Sequence, residues 1–295
     1  MNRLRLAVFA ILCLLAAPAA QAHRHTAPAT VPAYVSTTDL GVPVHAALAA
    51  HALGRRVIAV FDIDNTLLTA PQDLGSDTWF TWQKDSRPGD FPGVLKDSNL
   101  MIELGAMKPT QPDGPALIHD LQAAGIPVYA LSARGPDLRG ATEQALLAAG
   151  IDLSPAPECG RPLCTRRGHL NTPQIEAAAR RLHVTLKAEP RPVTVSDGVM
   201  MVSGQDKGVM LHLLLGSLKG RYDTVYFVDD TFQNILDVRA AASGMRTRVM
   251  TYSYERFWPD AHAFMTDPAR QAKTATGLKD LKAGICGAIE ATDCQ

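Results

Sequence analysis

Val57-Ile58-Ala59-Val60-Phe61-Asp62-Ile63-Asp64-Asn65-Thr66 is the stretch on which the reading of this chain turns. Five apolar residues in a row, with no alternation, describe a strand buried on both faces, as in a parallel sheet covered by helices. Two aspartates spaced by one residue follow at once. In an open parallel sheet, ligands bind beyond the carboxyl ends of the strands, so acids at that place are candidates for chemistry. Alone, Asp62 and Asp64 would also fit a solvated turn closed by Asn65.

Outward from this strand, the pattern alternates. Pro43 to Leu53 reads as a helix stopped by Gly54, and Pro115 to Ala124 as one stopped by Gly125. Ile126 to Leu131 is a second buried strand, followed by a helix over Pro136 to Ala149. Thr172 to Leu182 is helical. Val193 to Val202 is a hairpin turning at Asp197-Gly198. Gly208 to Leu218 is a helix, Thr224 to Val228 a third buried strand, Phe232 to Ala242 a helix and Thr247 to Tyr252 a fourth strand. This rhythm predicts a Rossmann-like α/β fold: a mostly parallel sheet with helices on both faces. Two long stretches break the rhythm, 69–110 and 152–206; either could form the small cap insertion expected over the site. The expected organisation is a leader over 1–22, a lead-in and helix over 23–55, a core over 56–256 and a helical tail over 257–295.

The leader is read from Arg3 and Arg5, the apolar run Leu6 to Ala16, and the small-residue signal Ala20-Gln21-Ala22. Cleavage after Ala22 predicts a periplasmic or secreted protein with no lasting membrane association. His23 to about Val35 reads as a flexible lead-in. An oxidising compartment favours disulfides Cys159–Cys164 and Cys286–Cys294, a zinc site being the competing reading. The formal net charge is zero, which offers no face for a nucleic-acid polymer. Oligomeric state is not readable.

Behind each buried strand lies a polar residue suited to one shared task. Asp62, Asp64 and Thr66 follow the first, Ser132-Ala133-Arg134 the second, and Asp229-Asp230 the third. Lys207 stands at a helix start between them. Converging carboxylates repel unless a cation lies among them, and an all-oxygen set suits Mg²⁺, which shares its shell with phosphate. A lysine and a hydroxyl supply donors to a phosphoryl group. One carboxylate can serve as nucleophile and a second as general acid, then base.

In that order these residues resemble the four motifs of the haloacid dehalogenase superfamily. Asp62-Ile63-Asp64-Asn65-Thr66 matches the first motif, Ser132 the second, Lys207 the third and Asp229-Asp230 the fourth. Gly75-Ser76-Asp77-Thr78-Trp79-Phe80 further resembles an exported subgroup, the "domain of unknown function 2608" proteins. Class B acid phosphatases share a similar first motif but fit less well after it. The resemblance implies a Mg²⁺-dependent phosphomonoester hydrolase acting on a small phosphorylated substrate. Asp62 would be the nucleophile and Asp64 the acid/base, with Ser132 and Lys207 as further catalytic groups. Thr66, Ala133 and Arg134 would contact substrate, and Asp62, Asp64, Asp229 and Asp230 would hold the metal. Arg134 has a second reading, as partner of a structural acid. Trp79, Phe80 and Trp82 are expected to pack the insertion's own core, with substrate stacking as the alternative. Asp77 is a weaker candidate. From another class, a non-catalytic exported protein would keep the scaffold to bind a phosphorylated ligand or a partner.

Overall fold

The computed structural model describes residues 34–157, 160, 164 and 172–288. The expected leader and most of the lead-in lie outside these residues. A seven-stranded sheet forms the centre, in the order β1-β9-β8-β2-β5-β7-β6. Its strands are β1 (Val35–Thr37), β2 (Val57–Phe61), β5 (Val128–Ser132), β6 (Thr194–Ser196), β7 (Val199–Met201), β8 (Thr224–Asp229) and β9 (Arg248–Tyr254). Every pairing is parallel except β6 with β7. The fold is therefore the Rossmann-like α/β type expected from the strand–helix alternation.

Apolar residues on both sides of β2 explain why helices cover both faces. Val57, Ala59 and Phe61 pack with Val44 and Ala47 of α1 (Gly41–Ala52), Leu117 and Leu121 of α4 (Gly114–Ala123) and Leu146 of α5 (Arg139–Ala148). Ile58 and Val60 pack on the opposite face with α6 (Thr172–Leu182), α7 (Lys207–Ser217) and α8 (Phe232–Ala242). Each fully buried aliphatic or aromatic side chain contributes about 1.5–3 kcal/mol. Alternating period-2 contacts on both faces hold the strand in register.

The stretch after β2 forms an excursion: a two-stranded flap of β3 (Leu68–Thr69) and β4 (Lys108–Pro109), enclosing α2 (Asp77–Ser86) and α3 (Phe91–Leu104). Ser76 caps α2, its hydroxyl accepting from Trp79 N at 3.1 Å. Trp79 and Trp82 pack inward, as expected, but against more than their own segment. Trp79 and Met101 meet Phe264 of α9 (Trp258–Met265) and Leu278 of α10 (Pro268–Ala288). Trp82 meets the Phe264 ring edge-on at 6.0 Å. The C-terminal tail is thus part of this small second core. Asp97 of α3 is buried there and pairs with Arg87 at 2.8 Å and with Lys282.

One expectation is corrected. The described part of 152–206 is not a cap: α6 buries Ile175, Ala178, Ala179 and Leu182 on the core, and β7 extends the main sheet beside β5. The turn at Asp197-Gly198 is as read, with both residues at positive φ, and a Cβ on Gly198 would meet the Leu153 carbonyl at 2.2 Å. At the other edge, the lead-in ends in β1, which pairs with β9 from Val35↔Tyr252 to Thr37↔Tyr254. Cys164 and Cys286 are each disulfide-bonded. Their expected partners, Cys159 and Cys294, lie outside the described residues.

Candidate functional site

The chain runs outward from β2 through β5 to β7, then returns to β8 on the other side of β2. This reversal opens a crevice at the carboxyl ends of β2 and β8, the place where such sheets take ligands. Register fixes what meets there. Phe61 pairs with Val228, and Asp62 N donates to Val228 O at 2.8 Å, so Asp62 and Asp229 leave adjacent strands side by side.

Lys207 enters from the first turn of α7, capped by Asp206, whose carboxylate accepts from Val209 N at 2.9 Å. Gly208 lets α7 sit against α8: a Cβ there would lie 2.5 Å from the Asp237 carbonyl and 2.7 Å from Ala241 Cβ. The Lys207 ammonium donates to Asp62 and, at 2.6 Å, to Asp229 Oδ2. All three side chains are buried. The other Asp229 oxygen accepts from Thr231 N and Asn234 Nδ2, both at 2.9 Å, so Asp229 also helps cap α8. Carboxylate oxygens of Asp62, Asp229 and Asp230 lie within 4.8 Å of one another, a spacing one hard cation can bridge.

The electrostatics express an excess of acid. Burial pushes the Asp62 carboxyl up to about 8; Lys207 opposes the rise, while Asp229 and Asp64 add to it. Burial and the charges of Asp77, Asp62 and Asp229 raise Asp230 well above the usual range. Lys207 is raised, because Asp229 and Asp62 outweigh the effect of burial. A divalent cation among these oxygens would relieve the repulsion.

The remaining predicted residues divide. Asp64 lies at the cleft and pairs with Arg134 through two hydrogen bonds. The partner is an acid of the site itself, so the pairing matches neither sequence reading of Arg134. Ser132 ends β5 fully buried, its hydroxyl accepting from Arg134 N at 3.2 Å. Ala133 is exposed at the turn, its carbonyl accepting from Gly204 N at 2.7 Å. Thr66 is fully buried, and its hydroxyl accepts from Asp230 N at 3.1 Å. It ties the first acidic turn to the last.

Asp77, half-buried, is near enough to this site to feel its charges. It starts α2 beside the cleft, where burial and the charges of Asp64 and Asp229 raise it to about 6, against Lys207 and Lys84. Trp258 was not foreseen. It opens α9, and its indole Nε1 donates to the Asp230 carbonyl at 2.9 Å. Asn234 was also missed; an amide one helical turn after Asp229-Asp230 was the available signal.

Fold and site together describe a Rossmann-like α/β protein whose strand ends gather buried acids around one lysine. More narrowly, the chain belongs to the family of proteins of unknown function DUF2608, whose model matches residues 41–279. No curated protein matched the chain.

Proposed function

We propose that this protein is an exported, Mg²⁺-dependent phosphomonoester hydrolase of the haloacid dehalogenase type. One observation carries the reading: Asp62, Lys207 and Asp229, far apart in sequence, meet in a buried contact with Asp230 beside them at the strand ends. A structural role alone gives no reason to bury several acids around one lysine, since such clusters are costly unless a cation or substrate completes them.

Asp62, Asp229 and Asp230, with the backbone carbonyl of Asp64, would hold Mg²⁺, which when bound supplies charge neutralisation for a phosphoryl group. The Asp62 carboxylate attacks phosphorus, forming an aspartyl-phosphate as the bond to the leaving oxygen breaks. Asp64 gives that oxygen a proton. Asp64 then takes a proton from water as the water oxygen attacks phosphorus, releasing inorganic phosphate and restoring Asp62. Lys207 balances charge on Asp62, and Ser132 orients the turn that carries Arg134. The substrate is a small phosphorylated molecule met outside the cytoplasm.

The test is release of phosphate from 4-nitrophenyl phosphate with added Mg²⁺. Turnover should vanish in Asp62→Asn with the circular dichroism unchanged, and EDTA should silence the wild type. A folded Asp62→Asn with full activity would refute the nucleophile. No turnover by the wild type, with binding of phosphorylated ligands retained, would favour the non-catalytic alternative.

A further inference from the structure

Arg134 is a buried arginine, and four of its five N–H donors are committed to the protein. Its guanidinium forks onto Asp64, Nε to Oδ2 at 3.0 Å and Nη2 to Oδ1 at 2.7 Å. Nη1 donates to Thr142 Oγ1 of α5 at 3.0 Å, and Nη2 also meets Met107 Sδ at 3.0 Å. The backbone is held as well: Arg134 N donates to Ser132 Oγ, and Arg134 O accepts from Ser203 N at 3.0 Å. The Arg134 side chain is 3% exposed, whereas that of Asp64 is 27% exposed.

A bidentate guanidinium–carboxylate pair fixes the plane of the carboxylate as well as its distance. An aspartate at a turn otherwise rotates about its side-chain bonds. Each Asp64 oxygen accepts one bond from Arg134 and keeps a second lone-pair position, which can carry the proton that Asp64 transfers. The scaffold that aims Asp64 is therefore a relay from α5 through Thr142 and Arg134.

We propose that Arg134 is a positioning residue, anchored by Thr142, that holds Asp64 in line with the leaving-group oxygen and does not itself bind the phosphoryl group. This deepens the hydrolase reading and rests on it. General acid–base catalysis contributes roughly 10²–10⁴-fold, and it depends on placement within an ångström. Removing the fork therefore acts on turnover, whereas removing a phosphate ligand acts on substrate affinity.

A double-mutant cycle on the full-length protein tests this, with kcat and KM for 4-nitrophenyl phosphate in Mg²⁺. Arg134→Gln should lower kcat about 10–100-fold with KM within about threefold. Arg134→Lys, able to make one of the two bonds, should recover part of the loss. In the Asp64→Asn background, Arg134→Gln should add nothing to the defect. Thr142→Val should lower kcat about two- to fivefold at constant KM. Additive losses in the cycle, or a raised KM at constant kcat, would overturn the proposal in favour of direct phosphate contact. If Arg134→Gln loses its circular dichroism, Arg134→Lys and Thr142→Val decide, and wild-type kcat in both overturns it. Wild type and Asp62→Asn run alongside separate the two claims: an inactive wild type sinks the hydrolase reading and full turnover by Asp62→Asn sinks its nucleophile, whereas an active wild type and an inactive Asp62→Asn with an additive cycle sink this inference alone.

Discussion

The ammonium of Lys207, at the first turn of α7, donates to the Asp229 carboxylate at the end of β8 across 2.6 Å, with both side chains sealed from solvent. Asp62 shares the same ammonium. One cation thus holds two acids that would otherwise repel at the join of two strands.

Lys207→Met should therefore destabilise the protein. Breaking a buried ion pair from one side leaves an unpaired charge and costs about 3–5 kcal/mol. Thermal unfolding in EDTA should show a clearly lower Tm, and added Mg²⁺ should recover part of the difference. An unchanged Tm in EDTA would mean that Lys207 does not neutralise these acids.

Stability without metal should fall as pH rises. Asp62 is raised to about 8, far above its value of about 4 in the unfolded chain. Between those values the folded state binds more protons than the unfolded state, so the slope of stability with pH is negative. The contribution is complete below the unfolded value and is lost as pH passes the folded one. Asp77, raised to about 6, acts in the same direction. Urea unfolding across this window in EDTA should show the decline, and saturating Mg²⁺ should flatten it. A rise in stability over the same window would contradict the burial of these acids.

Thr66→Val should weaken the site without touching a proposed ligand side chain. The substitution removes the acceptor for Asp230 N, and an unsatisfied buried donor costs about 1–3 kcal/mol. Groups that orient ligands change metal affinity by about 10–100-fold, so Mg²⁺ titration should show weaker binding within that range. Unaltered stability and Mg²⁺ affinity would remove Thr66 from any role at the site.

Phe264→Ala tests whether the C-terminal helices are structural. Its ring packs among Trp79, Met101 and Leu278, and such a truncation costs about 3–5 kcal/mol. Limited proteolysis should then cut the tail after α9 well before the sheet is attacked. Equal protease resistance of the variant and the wild type would show that the tail is not held by this core.

Local chemistry accounts for what could be read from the residues. The run Val57–Phe61 is a strand buried on both faces because no polar residue interrupts it, and α6 declares itself by apolar residues at helical spacing. Asp62, Asp64, Lys207, Asp229 and Asp230 stood out because each follows or faces such an element. Contacts between distant segments decided the rest. β1 is three residues long and carries no periodicity, so only its pairing with β9 defines it. The hairpin at Thr194–Met201 falls in a stretch that could form a cap, and only its pairing with β5 puts it in the main sheet; only the contact of Phe264 with Trp79 ties the helical tail to the excursion after β2. The Arg134–Asp64 fork and the hidden hydroxyl of Thr66 belong to the same class. Periodicity encodes the face a residue presents, but the partner on that face is set by how strands order themselves across the sheet, which no local pattern specifies.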